Sequence, residues 1–274
     1  RHRVDHGRRQ QVKPDARLSL KTGHVALFAS DMHLGDHDPD TAAQFLSSLD
    51  TQLRAHRFTH LFLLGDIFEA WVGDDQPDSI AAALGQALVR LSADGLHVML
   101  MRGNRDFLLG VEREDLEPWP QAHGALLLDE PTVIDLFGER VLLSHGDAWC
   151  TDDHAYQRFR AEVRSIDWQT AFLAKPLAER LGIARAMREQ SERNKLMQSI
   201  SDVTDSAASQ ALRASGATRI IHGHTHRPGV YALGSAALAG QPPAQRWVLP
   251  DWLSQAGRGG FLRVDHTGWH WLAA

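Results

Sequence analysis

The chain has 274 residues, 43% hydrophobic and 23% charged, with a net charge of −5, the composition of a soluble globular protein with one large core or a core plus a subdomain. The acidic balance excludes a general basic field for nucleic acid, the single cysteine, Cys150, excludes an internal disulfide framework, and no apolar run reaches the roughly 18–20 residues of a membrane span. An N-terminus with charge but no apolar stretch argues against a signal peptide, so a cytoplasmic protein with no obligate protein partner is expected.

Residues 1–22 carry Arg1, Arg3, Arg8, Arg9, Lys13, Arg17 and Lys21 against Asp5 and Asp15; they are expected to be a disordered basic tail ahead of a single domain over 23–274. From His24 a repeated unit begins. His24–Ser30 is a continuous apolar run, as in a strand covered on both faces; it ends in Asp31-Met32-His33, and Asp40–Arg54 then has helical spacing. His60–Leu64 is the next strand and ends in Gly65-Asp66, followed by a helix over Ser79–Asp94; His97–Met101 ends in Arg102-Gly103-Asn104-Arg105-Asp106. This order predicts parallel strands with helices on their faces. Ala125–Leu128, Thr132–Leu136 and Arg140–Ser144 are expected to form a meander, whose last strand ends in His145-Gly146-Asp147. Residues 152–200 are expected to be helical, and Arg219–Ile221 a buried strand ending in His222-Gly223-His224-Thr225-His226. Four late strands follow, at Val230–Leu233, Arg246–Leu249, Gly260–Val264 and Gly268–Leu272.

The 16 histidines are informative because several stand at the ends of apolar runs. Five runs end in Asp31/His33, Asp66, Asn104, His145 and His224/His226. Carboxyl ends of parallel strands share one edge of a sheet, where ligands bind, so these side chains converge. A carboxylate between two cations partly neutralises both, and Asp66 is assigned that place. Asn104 adds a neutral oxygen and four imidazoles complete two open shells. Such a pair of ions, about 3.5–4 Å apart, lowers the pKa of a water and clamps a phosphate oxygen. Mixed histidine and carboxylate ligation favours Mn, Fe, Co or Zn over Mg or Ca.

The motifs DMH at 31–33, GD at 65–66, GNRD at 103–106, HGD at 145–147 and GHTH at 223–226 resemble those of the calcineurin-like metallophosphoesterase family. The resemblance implies a four-layer α/β/β/α sandwich. It also implies one metal held by Asp31, His33, Asp66 and His226 and a second held by Asp66, Asn104, His145 and His224. Longer stretches, GDIFEAWVGDD at 65–75, GNRDFLLG at 103–110, HGDAWCTDD at 145–153, YQRFR at 156–160 and IHGHTHRP at 221–228, look like the UDP-2,3-diacylglucosamine diphosphatase family. That likeness implies two Mn²⁺ ions per chain and hydrolysis of a lipid-linked UDP-sugar to UMP and 2,3-diacylglucosamine 1-phosphate in lipid A biosynthesis. A hydroxide bridging the two ions would attack the α-phosphorus, at the cytoplasmic face of the inner membrane. It carries Asn104, Arg105, Asp153, Ser191 and His224 over as substrate contacts, with Asn194 and Lys195 near the family's Asn and Lys. Catalysis falls to Asn104, Arg105, His145 and His224. Arg105 stands where many relatives in the wider superfamily carry histidine; a phosphate leaving group needs fixed positive charge more than a proton donor.

The helical insertion at 152–200 is expected to form a lid. Tyr156, Phe159, Val163 and Ile166 share one face, and Trp168, Phe172, Leu177, Leu181 and Ala184 another, with breaks at Pro176 and Gly182. These faces either pack on the core or wall a slot for acyl chains. The insertion is also basic, with Arg158, Arg160, Arg164, Lys175, Arg180, Arg185, Arg188, Arg193 and Lys195, which suits either a solvated face or peripheral attachment to anionic lipid. Two other functions share part of this pattern: a soluble nucleotide pyrophosphohydrolase or phosphodiesterase, and a catalytically silent scaffold of the same fold.

Overall fold

The structure, a computed structural model, describes residues 18–197, 201–234 and 243–274, of which 190–197 are described by backbone alone. Twelve strands and seven helices follow one another in these stretches. In chain order they are β1 (Ser19–Leu20), β2 (Val25–Ala29), α1 (Pro39–Ala55), β3 (His60–Leu64), α2 (Ser79–Ala93), β4 (His97–Met101) and α3 (Trp119–Ala122). Then come β5 (Ala125–Leu128), β6 (Thr132–Leu136), β7 (Glu139–Leu143), α4 (His154–Val163), α5 (Ile166–Leu173) and α6 (Leu177–Met197). The chain closes with α7 (Asp205–Ser215), β8 (Arg219–His222), β9 (Gly229–Leu233), β10 (Ala244–Val248), β11 (Gly260–Asp265) and β12 (Gly268–Ala273).

Two six-stranded sheets result, ordered β12-β11-β2-β3-β4-β5 and β1-β6-β7-β8-β10-β9. The continuous apolar runs are explained by burial on both faces. Ala26, Phe28, Phe62, Leu64, Met99 and Met101 meet Ile134, Val141, Leu143 and Ile221 between the sheets. The alternate residues Leu27, Leu61, Leu63, Val98 and Leu100 pack outward on Phe45 and Leu49 of α1 and Leu84 and Leu88 of α2. On the far side Leu142 and Ile220 pack on Ala208 and Leu212 of α7. The order is helix, sheet, sheet, helix, the four-layer α/β/β/α sandwich expected. Asp38 and Asp78 cap α1 and α2 by accepting from Thr41 N at 3.1 Å and Ala81 N at 2.7 Å.

Three expectations need correction, and one helix was not expected. The tail does not extend to residue 22: Ser19–Leu20 pairs parallel to β6 and Leu20 is fully buried, because Leu18 and Leu20 reach the core between the sheets. Residues 1–17 lie outside the described stretches. The three-strand meander is a hairpin of β6 and β7 only; β5 lies parallel to β4 in the other sheet. Residues 102–124 are long enough for the crossover that parallel pairing needs. Gly182 does not break the lid, since α6 runs through it, and glycine within a helix costs only about 1 kcal/mol. Helix α7 had no visible signal: its sequence, DSAASQALRAS, has small residues where a stripe of large ones would mark a helix.

A ladder of three histidines lies at the opposite end of the sheet from the expected site. His60 is buried between His24 and His97, with ring centroids 5.1 and 4.9 Å away. Burial, then the like charges of His97 and His24, lower its pKa from 6.5 to about 4. The unfolded chain therefore binds a proton that the folded one refuses as pH falls from 6.5 to 4, and stability is lost across that window. At about 1.4 kcal/mol per unit, urea unfolding should show a drop between pH 7.5 and 5 that is about 2 kcal/mol larger in the native sequence than in His60→Phe. Equal drops would remove the ladder as a source of acid sensitivity.

Candidate metal centre

Parallel strands β2, β3 and β4 of one sheet and β7 and β8 of the other bring their carboxyl ends to a common edge. All seven expected donors stand on the loops that leave those ends. Asp31, His33, Asp66, His224 and His226 have φ of 54, 50, 48, 67 and 53°. Left-handed backbone is uncommon for a residue with a side chain, and here it turns each side chain back over the strand ends.

His33 Nε2 and His226 Nε2 face each other at 3.4 Å, with Asp31 Oδ1 at 4.0 and 3.4 Å from them and Asp66 Oδ2 at 3.9 Å from His33. Beside this group, His145 Nε2 and His224 Nδ1 both approach Asn104 Oδ1, at 3.0 and 2.8 Å, and Asp66 Oδ1 lies 3.5 Å from His145 Nε2. Donor atoms of Asp31, His33 and His226, and of Asp31, Asp66 and His145, all lie within 4.8 Å of one another in each set. Asp66 thus reaches both halves through its two oxygens.

The far nitrogen of three of these rings faces an oxygen of another residue. His33 Nδ1 lies 2.8 Å from Glu69, His226 Nδ1 3.3 Å from Asp251, and His145 Nδ1 donates to Leu64 O at 3.0 Å. A ring that donates through Nδ1 keeps a lone pair on Nε2. His33 Nε2 and His226 Nε2 stand 3.4 Å apart, and a cation between them would accept a lone pair from each ring once both turn Nδ1–H to their carboxylates. The donor set therefore fits divalent ions: Asp31, His33, Asp66 and His226 would hold one, and Asp66, Asn104, His145 and His224 the other.

Electrostatics point the same way. Burial opposes charge on His145, yet Asp66, Asp31 and Asp147 raise its pKa to about 9. Burial works against ionised Asp31 too, and His226, His145 and His33 outweigh it, holding the carboxyl far below its usual range. His224 goes the other way, lowered to about 4 by burial and by His145. Negative charge concentrated here draws protons onto imidazoles, and divalent ions would displace them.

Glycines in the motifs allow the loops to interlock. A Cβ on Gly103 would strike the Asp66 carboxylate and backbone, and one on Gly223 would strike the Asp31 carboxylate and Ser30. Gly103→Ala is expected to destabilise by about 1–3 kcal/mol and to weaken binding of Mn²⁺, read by thermal melts and metal titration. Gly182→Ala, in open space on α6, should instead stabilise by about 0.5–1 kcal/mol. Equal effects at the two sites would refute the packing account.

Several residues that build the site carried no assignment in the sequence. Asp106, fully buried, accepts from Gly103 N at 2.6 Å and Ile67 N at 2.7 Å and so binds two donor loops together. Glu130 Oε1 accepts from Ser144 Oγ at 2.8 Å and His145 N at 2.7 Å. Its other oxygen meets Arg160 Nη2 at 3.1 Å, and Arg160 Nε donates to the buried Asp147 at 2.7 Å. Arg164 Nη2 donates to Gly103 O at 2.9 Å. Helix α4 is thereby clamped to both loops of the second half-site. Asp106 and Asp147 were in view as the last letters of GNRD and HGD; Glu130 had no local signal.

Arg105 is mostly buried, 3.8 Å from Glu69 by Nη1, and its backbone N–H donates to Asp66 Oδ1 at 2.8 Å. Asp153 caps α4, accepting from Tyr156 N at 2.9 Å. Ser191, Asn194 and Lys195 lie on α6 where side chains are outside those described. The first expected lid face is divided: α4 ends at Val163, α5 restarts after the Ser165 cap, and Ile166 is 71% exposed. The second contributes Trp168 and Phe172, which with Ala171, Lys175, Ile183 and Met187 line a groove of about 190 Å³. Trp168 also touches Phe107, two residues past Arg105, at 5.9 Å between centroids. The basic face is smaller than expected. Arg160 and Arg164 face buried carboxylates, and Arg180, 2% exposed, pairs with Asp75 at 2.5 Å.

Residues 25–228 match the family model described as calcineurin-like phosphoesterase. A protein of Chromobacterium violaceum named UDP-2,3-diacylglucosamine hydrolase is 48% identical over 244 residues, covering 88% of this chain and 95% of its own length. One of Bordetella pertussis with the same name is 44% identical over 249 residues, covering 88% and 91%. Among solved structures, a zinc complex of Vps29 from Entamoeba histolytica aligns with a TM-score of 0.41 at 13% identity, covering 89% of this chain and 87% of that one.

Proposed function

This chain belongs to the calcineurin-like phosphoesterase family, within the UDP-2,3-diacylglucosamine hydrolases, and from that premise we propose that it hydrolyses the pyrophosphate of UDP-2,3-diacylglucosamine. The products are UMP and 2,3-diacylglucosamine 1-phosphate, in lipid A biosynthesis. The observation that carries the substrate reading is the apolar groove between α5 and α6, whose Trp168 touches Phe107 on the loop of Asn104 and Arg105. A soluble nucleotide has no use for such a groove, whereas an acylated sugar brings apolar chains to be buried beside its phosphates.

The family carries a dinuclear metal site, and we assign Mn²⁺ to it; bound there, the ions supply an activated water and neutralise charge on the phosphoryl oxygens. Asp66, reaching both halves of the centre, would serve both ions. Asn104 offers a neutral oxygen between His145 and His224. Arg105, held beside Glu69, turns its guanidinium to the pyrophosphate and gains most from the charge of the transition state. Water attacks the α-phosphorus in line and the lipid-linked phosphate leaves. Its low basicity makes a general acid unnecessary, which agrees with arginine at position 105. The clamp of α4 on the Gly103 and His145 loops keeps these groups in register.

Among the described residues no helix is long and apolar enough to cross a membrane. The exposed Phe159, Ile166 and Leu181 of the lid, with exposed Arg158 and Arg185, support peripheral attachment at the cytoplasmic face of the inner membrane. Release of UMP from UDP-2,3-diacylglucosamine on addition of Mn²⁺ tests the function. Hydrolysis in ¹⁸O-water should label UMP; label in the lipid phosphate would move the attack to the other phosphorus.

A further inference from the structure

Glu69 stands three residues past Asp66 and was not among the expected site residues, yet its carboxylate meets three parts of the molecule. Oε2 lies 2.8 Å from His33 Nδ1, while Oε1 lies 3.3 Å from Arg188 Nε of α6 and 3.8 Å from Arg105 Nη1. Its backbone N–H donates to Leu34 O at 3.0 Å, in the loop that carries His33. With a side chain 12% exposed and both ends engaged, Glu69 is a fixed junction rather than a surface acid.

We infer that Glu69 is a positioning residue that joins the first half of the metal centre to the lid, so that loading the centre with a divalent ion orders α6. One oxygen holds the His33 ring so that Nε2 faces Asp31 and Asp66; the other holds Arg188 of the lid and Arg105. A cation at His33 Nε2 makes Nδ1–H a stronger donor. That tightens the carboxylate in the pose that Arg188 recognises. Linkage makes the effect mutual: what holds α6 down raises the affinity of the centre by the same factor. The Arg105 arm rests on the pyrophosphate reading; the His33 and Arg188 arms do not.

The test uses Mn²⁺ alone, titrated into metal-stripped full-length protein, with backbone amide exchange followed over residues 177–189. In the native sequence, Mn²⁺ should slow exchange there by at least about tenfold. Glu69→Gln keeps the shape and loses the charge; it should bind Mn²⁺ about 10–100-fold more weakly, and exchange in 177–189 should no longer respond when the ion is raised to saturation. Native affinity in Glu69→Gln, or an unchanged response of α6, overturns the inference. If that variant does not fold, the native protein decides alone, since exchange in 177–189 indifferent to Mn²⁺ is equally fatal. Neither readout contains a substrate, so a failed UDP-lipid assay would sink the functional reading and leave this one standing.

Discussion

Asp66→Asn should abolish turnover, by on the order of 10³-fold or more, while leaving the protein folded. The amide keeps the shape of the carboxylate and can still accept from the Arg105 N–H, which lies 2.8 Å from Oδ1. It removes a carboxylate charge whose two oxygens face the two halves of the centre, and the stabilisation lost in the transition state is several kcal/mol. Metal titration should fall from two ions to one or none. Neutralising Asp66 has opposed effects on its buried neighbours: it relieves Asp106, whose carboxyl burial and then the Asp66 charge push up to about 6, and it removes the first of the charges that raise His145 to about 9. Two bound ions with normal turnover would dismiss Asp66 as the bridge.

Arg105→Ala is the second large effect, expected to lower kcat by about 10²–10³-fold. Metal stoichiometry should be unchanged, because the group that touches Asp66 is the backbone N–H of Arg105, which alanine retains. Glu69 loses one cation but keeps His33 and Arg188, so the fold should survive. Arg105→Lys restores charge without the planar fork and should recover only part of the rate. A loss confined to KM would recast Arg105 as a binding group without preference for the transition state. Steady-state rates on the UDP-lipid decide between the two.

The half of the fold built from β2, β3, β4, α1 and α2 was legible because each strand is covered on both faces and each helix carries its apolar residues at helical spacing. The convergence of the expected donors was legible for a related reason: parallel strands oblige their carboxyl ends to share an edge, so Asp31, Asp66 and Asn104 could be placed together without seeing them. What failed depended on contacts distant in sequence. Nothing local says that Thr132 begins a strand in a different sheet from Leu128, or that Glu130 beneath it will hold His145. Counting arginines in the lid likewise gave a basic face, although Arg160, Arg164 and Arg180 turn inward to carboxylates contributed by other elements. Charge along a chain indicates a surface only when its partners are also known.

The left-handed turns at Asp31, His33, Asp66, His224 and His226 restrict how this scaffold can be re-engineered. One route to a more stable loop is to exchange such residues for glycine, which relieves about 1 kcal/mol or more of backbone strain at each. Here five of the six described non-glycine residues with left-handed backbone are expected metal donors, Phe137 being the other, so a search for thermostable variants that spares function should find no gains at those five positions and must look to Phe137 and the outer helices.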